Sequence, residues 1–500
     1  MRSDYRLHPA SVLLGLGSQL KNLALPGVLV LVGVNRAGAD WEPWLMLLLV
    51  PSTLVAIVRY VTFRYRFEPN ELVIRSGLVF RNERHVPYAR IQNLDAVKNV
   101  AHRLLGVVEV HLQTGGGKEP EAVMSVIPVG AFEEMRRRVF QHRDADVDVQ
   151  QEPAPAPRSI LRLSPREILL CGFIENRGVV VIAAAFGLLW ELGLADAWFE
   201  QVFGEETSGR GLIRSLIAAV MGSAGLSARQ VAATLAAFLA LFVFVRLLSM
   251  LWALIRLYGY ELARSDDDLR TAFGLFTRIE ATIPLHRIQT LTIEEGPWHR
   301  LFKRVGVKVE TAGGGSGSDG ATTAADRAWL APVLRSTDLP ALLHEVLPEV
   351  DLTSVEWHGL DALAFRRAFR SLLMFGLPGA GALVMVLTWW TPALVTTIVV
   401  WALVNSTQYV RRTGWTMTAT AVVFRSGWIW RSITVAPFAK IQAVALRESP
   451  FDRGWGMAAV EVDTAGTGGG RVTIPFLARE TAGELHASLA VEASRTEFKW

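Results

Sequence analysis

An internal triplication restricts this chain more than any other feature. With Gly77, Gly274 and Gly427 as origins, three segments align without a gap. Arg81, Arg278 and Arg431 fall at +4, and Pro87, Pro284 and Pro437 at +10. Arg90-Ile91-Gln92, Arg287-Ile288-Gln289 and Lys440-Ile441-Gln442 occupy +13 to +15. Arg103, Arg300 and Arg453 stand at +26, Thr114, Thr311 and Thr464 at +37, and Gly116, Gly313 and Gly466 at +39. A repeat this long is a domain with its own core rather than one turn of a solenoid.

Within each copy the pattern is β. Runs such as Val307-Lys308-Val309-Glu310-Thr311 and Val460-Glu461-Val462-Asp463-Thr464 alternate apolar and polar faces. The repeated glycine breaks a run as glycine does at hairpin turns. A later strand ends at a proline (Ser125–Pro128, Ala328–Pro332, Val472–Pro475), and a helical pattern closes each copy at Ala131–Phe140, Asp338–Leu347 and Glu480–Leu489. Six or seven short strands and one helix predict a small antiparallel sandwich or open barrel with a helical plug.

Between the copies lie apolar blocks. The chain is 51% hydrophobic and 20% charged with mean hydropathy +0.29, more apolar than a soluble fold needs. About 20 apolar residues cross a bilayer as helix. Six such spans are expected, in pairs: Leu23–Val34 and Trp44–Val61, Gly178–Leu194 and Val231–Leu257, Leu372–Trp390 and Pro392–Val410. No small-residue cleavage site follows the first block, so it reads as a span rather than a signal peptide. Arg59, Arg64 and Arg66, Arg158, Arg162, Arg166 and Arg177, and Arg411 and Arg412 flank the spans on the domain side. By the positive-inside rule both termini and all three domains face the cytoplasm. The expected fold is six transmembrane helices in three pairs, each pair followed by a small antiparallel β sandwich or barrel with a C-terminal helix. The domains would then cover 62–142, 258–347 and 411–500, after span regions 1–61, 178–257 and 372–410 and linkers 143–177 and 348–371.

The P-x-x-(R/K)-I-Q strand start, the V-x-V strand leading to T-x-G, the opening Arg6-Leu7-His8-Pro9 and the two-span-plus-domain layout resemble the bacterial pleckstrin-homology-like membrane family (bPH2, formerly DUF304), particularly its three-domain YdbT-like members. That resemblance implies pleckstrin-homology-like domains on the inner face of a bacterial plasma membrane, with no catalytic residues. It also implies a role linked to envelope stress or antimicrobial-peptide tolerance, and a smaller protein of the same fold as partner. The Gly/Ser-rich Gly313–Gly320 marks the second copy off from the other two.

The sharpest candidates for chemistry are the registered cations: Arg81, Arg278 and Arg431; Arg90, Arg287 and Lys440; Arg103, Arg300 and Arg453. No acid shares a register in all three copies, so an outside anion such as a lipid headgroup is one partner. The other reading has them capping strand ends or pairing with differently placed carboxylates. Each Lys or Arg beside an anionic leaflet contributes about 1 kcal/mol. Arg246 lies ten residues before Arg256, roughly 15 Å along a helix. A charge inside a span needs a partner, and Glu191 on the neighbouring span is the candidate; a snorkelling arginine is the plain alternative.

Other motifs fail. Gly313–Gly320 is followed by no Lys-Ser/Thr, and His344-Glu345 does not continue to a second histidine. Asp266-Asp267-Asp268 overlies the Pro69-Asn70-Glu71 turn, and Cys171 stands alone, so no metal site or cofactor is expected. The charge balance of 51 Lys+Arg against 47 Asp+Glu shows no basic stripe for nucleic acid. The expected function is a non-enzymatic inner-membrane scaffold or sensor presenting three domains to the bilayer, to anionic headgroups or to a protein partner. A transporter or export component built on the six spans is the alternative.

Overall fold

The computed structural model describes residues 5–9, 60–77, 81–88, 91–114, 122–144, 158–175, 228–265, 268–312, 329–352, 355–384, 391–466 and 471–495, with isolated positions before residue 60. The first copy runs β1 (Tyr5–Arg6), β2 (Arg64–Phe67), β3 (Glu71–Ser76), β4 (Asn82–Pro87), β5 (Ile91–Lys98), α1 (Val100–Leu104), β6 (Val107–Thr114), β7 (Ala122–Pro128) and α2 (Val129–Asp144). The second runs β8 (Arg158–Arg162), α3 (Pro165–Ile174), α4 (Ala228–Leu257), β9 (Glu261–Ser265), β10 (Asp268–Phe273), β11 (Arg278–Pro284), β12 (Ile288–Glu295), α5 (Pro297–Leu301), β13 (Arg304–Thr311), β14 (Trp329–Arg335) and α6 (Leu339–Val346). The third runs β15 (His358–Gly359), α7 (Ala364–Val384), α8 (Thr391–Arg412), β16 (Gly414–Met417), β17 (Ala421–Ser426), β18 (Arg431–Pro437), β19 (Ile441–Arg447), α9 (Pro450–Arg453), β20 (Met457–Thr464), β21 (Arg471–Ala478) and α10 (Arg479–Arg495).

Each repeated residue has a local reason. Gly77, Gly274 and Gly427 have φ of +98°, +113° and +84°. A β-carbon at Gly274 would stand 1.9 Å from the Thr277 carbonyl oxygen, and one at Gly427 1.9 Å from that of Trp430. Only glycine fits such a turn. The +10 prolines, which have no N–H for the ladder, end β4, β11 and β18 opposite Glu71, Asp268 and Ala421. Ile91, Ile288 and Ile441 are buried opposite Thr114, Thr311 and Thr464. The register slips by one just after each isoleucine, so Gln92, Gln289 and Gln442 occupy the bulge. The extra residue re-aims the strand.

The core of the first copy joins Tyr65, Leu72 and Val86 to Val110, Leu112, Ile127, Phe132 and Met135, from β2–β4, β6, β7 and α2. That of the third copy joins Val422 and Ala436 to Val460, Ile474, Leu477, Leu485 and Leu489, closed by α10. The sheets, however, do not stop at the copy boundaries. One seven-stranded sheet has the order β7-β6-β5-β11-β10-β9-β8, and another β14-β13-β12-β18-β17-β16-β15. The last strands of one copy therefore continue edge to edge into the first strands of the next. A four-stranded sheet, β1-β2-β3-β4, and a three-stranded one, β19-β20-β21, hold the two outer halves. The chain divides into two compact units, residues 1–162, 259–285 and 312–327, and residues 163–258, 286–311 and 328–500. Their boundary runs through the second copy.

Two expectations are corrected. Independent sandwiches give way to shared sheets, because β5 and β12 each complete their hydrogen bonding with a strand of the following copy. Among the described residues, six transmembrane helices in three pairs are also not found. Among the described residues one helical segment, Leu239–Leu257 in α4, is long and apolar enough to cross a membrane. α8, over the expected span Pro392–Val410, carries Thr396, Thr397, Asn405, Ser406, Thr407 and Gln408, polar groups that work against a hydrocarbon span. Leu23–Val34, Gly178–Leu194, most of Trp44–Val61 and the end of Leu372–Trp390 lie outside the described residues.

Candidate functional site

Where each central strand ends, a short helix interrupts the sheet. α1 is capped by Asn99, whose side chain accepts from the His102 N–H at 2.8 Å. In α5, His299 at the same register reaches back, its Nδ1 accepting from the Gly296 N–H at 3.3 Å. In α9, Ser449 and Asp452 form a reciprocal capping box. The +25 position thus holds His102, His299 and Asp452, each on the inner side of its helix. Burial pushes both histidines below the ordinary imidazole range. Burial alone would raise the Asp452 carboxyl, but hydrogen bonds from Ser449 and Arg367 hold it below the usual carboxylate range.

Two of these helices rest on the foot of a longer one. Trp298 of α5 stacks edge-on against Phe173 of α3 at 5.3 Å, and Phe302 does so at 5.9 Å. In the third copy, Arg367 of α7 binds Asp452 at 2.8 Å and lies over the Phe451 ring at 5.5 Å. The α3–α4 crossing is tight: a β-carbon on Gly172 would meet Ala253 and the Met250 backbone at 2.7 Å. Ser249 Oγ sits there 2.8 Å from the Gly172 carbonyl and 2.9 Å from that of Glu175. Small residues at such a crossing let two backbones approach.

The outer faces of the short helices are apolar and exposed. Leu104 is 82% exposed, Leu301 67% and Phe451 50%, with Val100, Leu105 and Phe302 beside them. The +26 arginines adjoin these faces, but two of them are committed elsewhere. Arg103 donates to the Leu275 carbonyl at 2.8 Å, and Arg300 to those of Trp428 and Ile429 at 2.9 Å each. In both cases the acceptors lie in the glycine turn of the next copy. Arg453 is exposed, with no side-chain partner among the described residues.

The other sequence candidates divide in the same way. Arg278 binds Glu280 at 3.3 Å, and Arg431 binds Glu295 of the preceding copy at 3.4 Å. Arg81 is exposed with no partner among the described residues. Arg287 and Lys440 are buried, and Lys440 donates to the His286 carbonyl of the preceding copy. Arg90 lies outside the described residues. Gln289 is buried and donates to the Arg287 carbonyl at 3.3 Å, while Gln442 is exposed. The structure thus does not gather these cations into one pocket. Arg103, Arg278, Arg300, Arg431 and Lys440 lie along the seams between copies, where backbone carbonyls accept from Arg103, Arg300 and Lys440.

Arg246 is 8% exposed and donates to the Phe173 carbonyl at 2.6 Å. Its guanidinium lies 5.3, 5.0 and 5.6 Å from the rings of Phe173, Phe242 and Trp298. Glu191 lies outside the described residues. Asn405 of α8, polar within an expected span, accepts from the Trp428 indole at 2.7 Å. Sequence reasoning passed over the +25 residues and Arg367. The Ser449-Pro450-Phe451-Asp452 capping pattern was the available signal for the first, whereas no local pattern marks Arg367.

The chain matches the model of the bacterial PH domain three times, over residues 20–143, 216–337 and 365–493. It is 26% identical over 375 residues to the UPF0699 transmembrane protein YdbT of Bacillus subtilis (strain 168), covering 70% of this chain and 71% of that protein. No solved structure matches it. The glycine turn, the bulge at Ile-Gln and the capped short helix recur in step with those three matches, and the chain belongs to the bacterial PH domain family.

Proposed function

We propose that this protein is a non-enzymatic scaffold or sensor, anchored in a bacterial plasma membrane with its PH-like domains cytoplasmic, that rests on the leaflet through its short helices. The carrying observation is the exposed apolar residue on each, Leu104, Leu301 and Phe451, with two of the three short helices packed on α3 and α7. Apolar side chains beside cations suit the headgroup region, where burial and attraction to anionic lipid act together. The transmembrane relative and the apolar stretch Leu239–Leu257 support anchoring. Three modest contacts on one chain would add through effective concentration. The transporter reading draws no support from Arg246, which is held by an α3 carbonyl and an aromatic box that includes Trp298 of the β region.

The test uses the full chain in lipid nanodiscs, with Cys171→Ser and a single cysteine from Leu104→Cys, Leu301→Cys or Phe451→Cys carrying an environment-sensitive fluorophore. Nitroxide-bearing lipids should quench all three positions and leave a control at Glu484→Cys bright. Stronger quenching with anionic than neutral lipid would identify headgroup attraction. Absence of quenching at all three positions would sink the reading.

A further inference from the structure

The two seams inside the chain have the same register. Lys98, Val97 and Ala96 of β5 stand opposite Arg278, Ile279 and Glu280 of β11. Glu295, Glu294 and Ile293 of β12 stand opposite Arg431, Ser432 and Ile433 of β18. Counted from each copy's own glycine, +21 faces +4 at both seams, and the +26 arginine of the earlier copy holds the glycine turn of the later one. A joint made twice in the same way from different side chains is a property of the backbone frame.

At the two ends of the series the same elements lack this partner. β19 is an edge of its sheet, and Ala445, Leu446 and Arg447 are exposed along it. β4 is an edge at the other end, with Asn82, Glu83, Arg84 and His85 exposed. Arg453, the third staple, and Arg81, the first +4 arginine, are the two members of their series with no side-chain partner among the described residues. His486 contacts the Val444 carbonyl at 3.2 Å, which occupies the early part of the β19 edge. That leaves Leu446–Glu448, the stretch equivalent to the three-residue β5–β11 seam.

We propose that β19 of one molecule pairs with β4 of a second copy of this chain, head to tail, in the register of the internal seams. Glu448 would then face Arg81, as Glu295 faces Arg431, with Arg447 opposite Asn82 and Leu446 opposite Glu83. The charges on β4 discourage indiscriminate edge pairing. In this register Arg81 meets Glu448, whose carboxylate also lies 3.0 Å from Arg479 of its own chain, and opposite charges across a ladder favour that pairing. The contact is heterologous, so it propagates into a row or closes into a ring. This proposal is independent of lipid contact.

The test is disulfide trapping of the full-length protein in native membranes, in a Cys171→Ser background. Asn82→Cys and Arg447→Cys chains, each made singly and co-expressed with different tags, should cross-link to each other on mild oxidation. A second pair, Glu83→Cys with Leu446→Cys, covers the alternate cross-strand geometry. Each variant alone should give no dimer. Asn82→Cys with Ala443→Cys, out of register, should give none. Adding Arg453→Ala should lower the trapped yield several-fold. Four outcomes would overturn the proposal: no heterodimer from either in-register pair, equal trapping out of register, a cross-link within one chain carrying both cysteines, or trapping of an Arg447→Cys chain by a different protein alone.

Discussion

At Gly427 the backbone decides the residue. Its φ of +84° and the Trp430 carbonyl 1.9 Å from any β-carbon leave no room for a side chain. Gly427→Ala is expected to cost on the order of 1–3 kcal/mol in backbone strain alone. The clash adds to this, and a lower midpoint in thermal unfolding of the full chain would register it. An unchanged midpoint would mean that the turn relaxes freely. The triplicated glycine, proline and Ile-Gln were legible in the sequence because they answer local demands: a left-handed turn, the end of a ladder, a bulge. The triplicated arginines were visible but not interpretable there. Their acceptors include main-chain carbonyls of Leu275, Trp428 and Ile429, and a carbonyl leaves no trace in residue identity.

On the level of elements, the strand edges carry the argument. β12 has β13 on one side and β18 of the following copy on the other, with Thr292 and Thr434 hydroxyls 3.3 Å apart across the seam. Removing the Arg300 guanidinium strips two carbonyls of donors at that seam. Hydrogen bonds from a charged donor contribute about 1.5–3 kcal/mol, at the low end for a half-buried group such as this. Arg300→Ala should therefore speed amide exchange in β12 and β18 of the purified, detergent-solubilised protein. Arg453→Ala, with no acceptor among the described residues, should leave unfolding within about 0.5 kcal/mol. Equal effects of the two substitutions would remove the staple role. The alternating strands and closing helices could be read from period and punctuation. Which strand edges meet could not, since side-chain alternation specifies faces and says little about edges.

For the molecule as a whole, shared sheets make the copies interdependent. Ending the chain after Gly359 would remove β18 and expose the edge of β12, including Leu291 and Ile293. Such a chain is expected to lose protection over residues 288–311 by about tenfold or more, equivalent to about 1.4 kcal/mol, and to self-associate through the open edge. Exchange rates matching those of the full chain would mean that each copy stands alone. Membrane content is also a matter of this scale. Apolar blocks in the sequence suggested three helix pairs, whereas among the described residues a single stretch, Leu239–Leu257, has the length and hydropathy to cross. In α7 and α8, arginines and polar side chains such as Arg367 and Asn405 are spent on contacts with the β region, to Asp452 and Trp428.

By itself, the sequence determined the number of copies, the three repeated turn glycines and the kinship to the bacterial PH domain, because the repeated residues answer steric demands local to a few positions. Tertiary structure alone decided that the copies are joined through β5–β11 and β12–β18, that Arg103, Arg278, Arg300 and Arg431 lie along those joints, and that the short helices present Leu104, Leu301 and Phe451 outward. The physical reason is that sheet edges bond through the main chain, whose donors and acceptors are the same at nearly every residue.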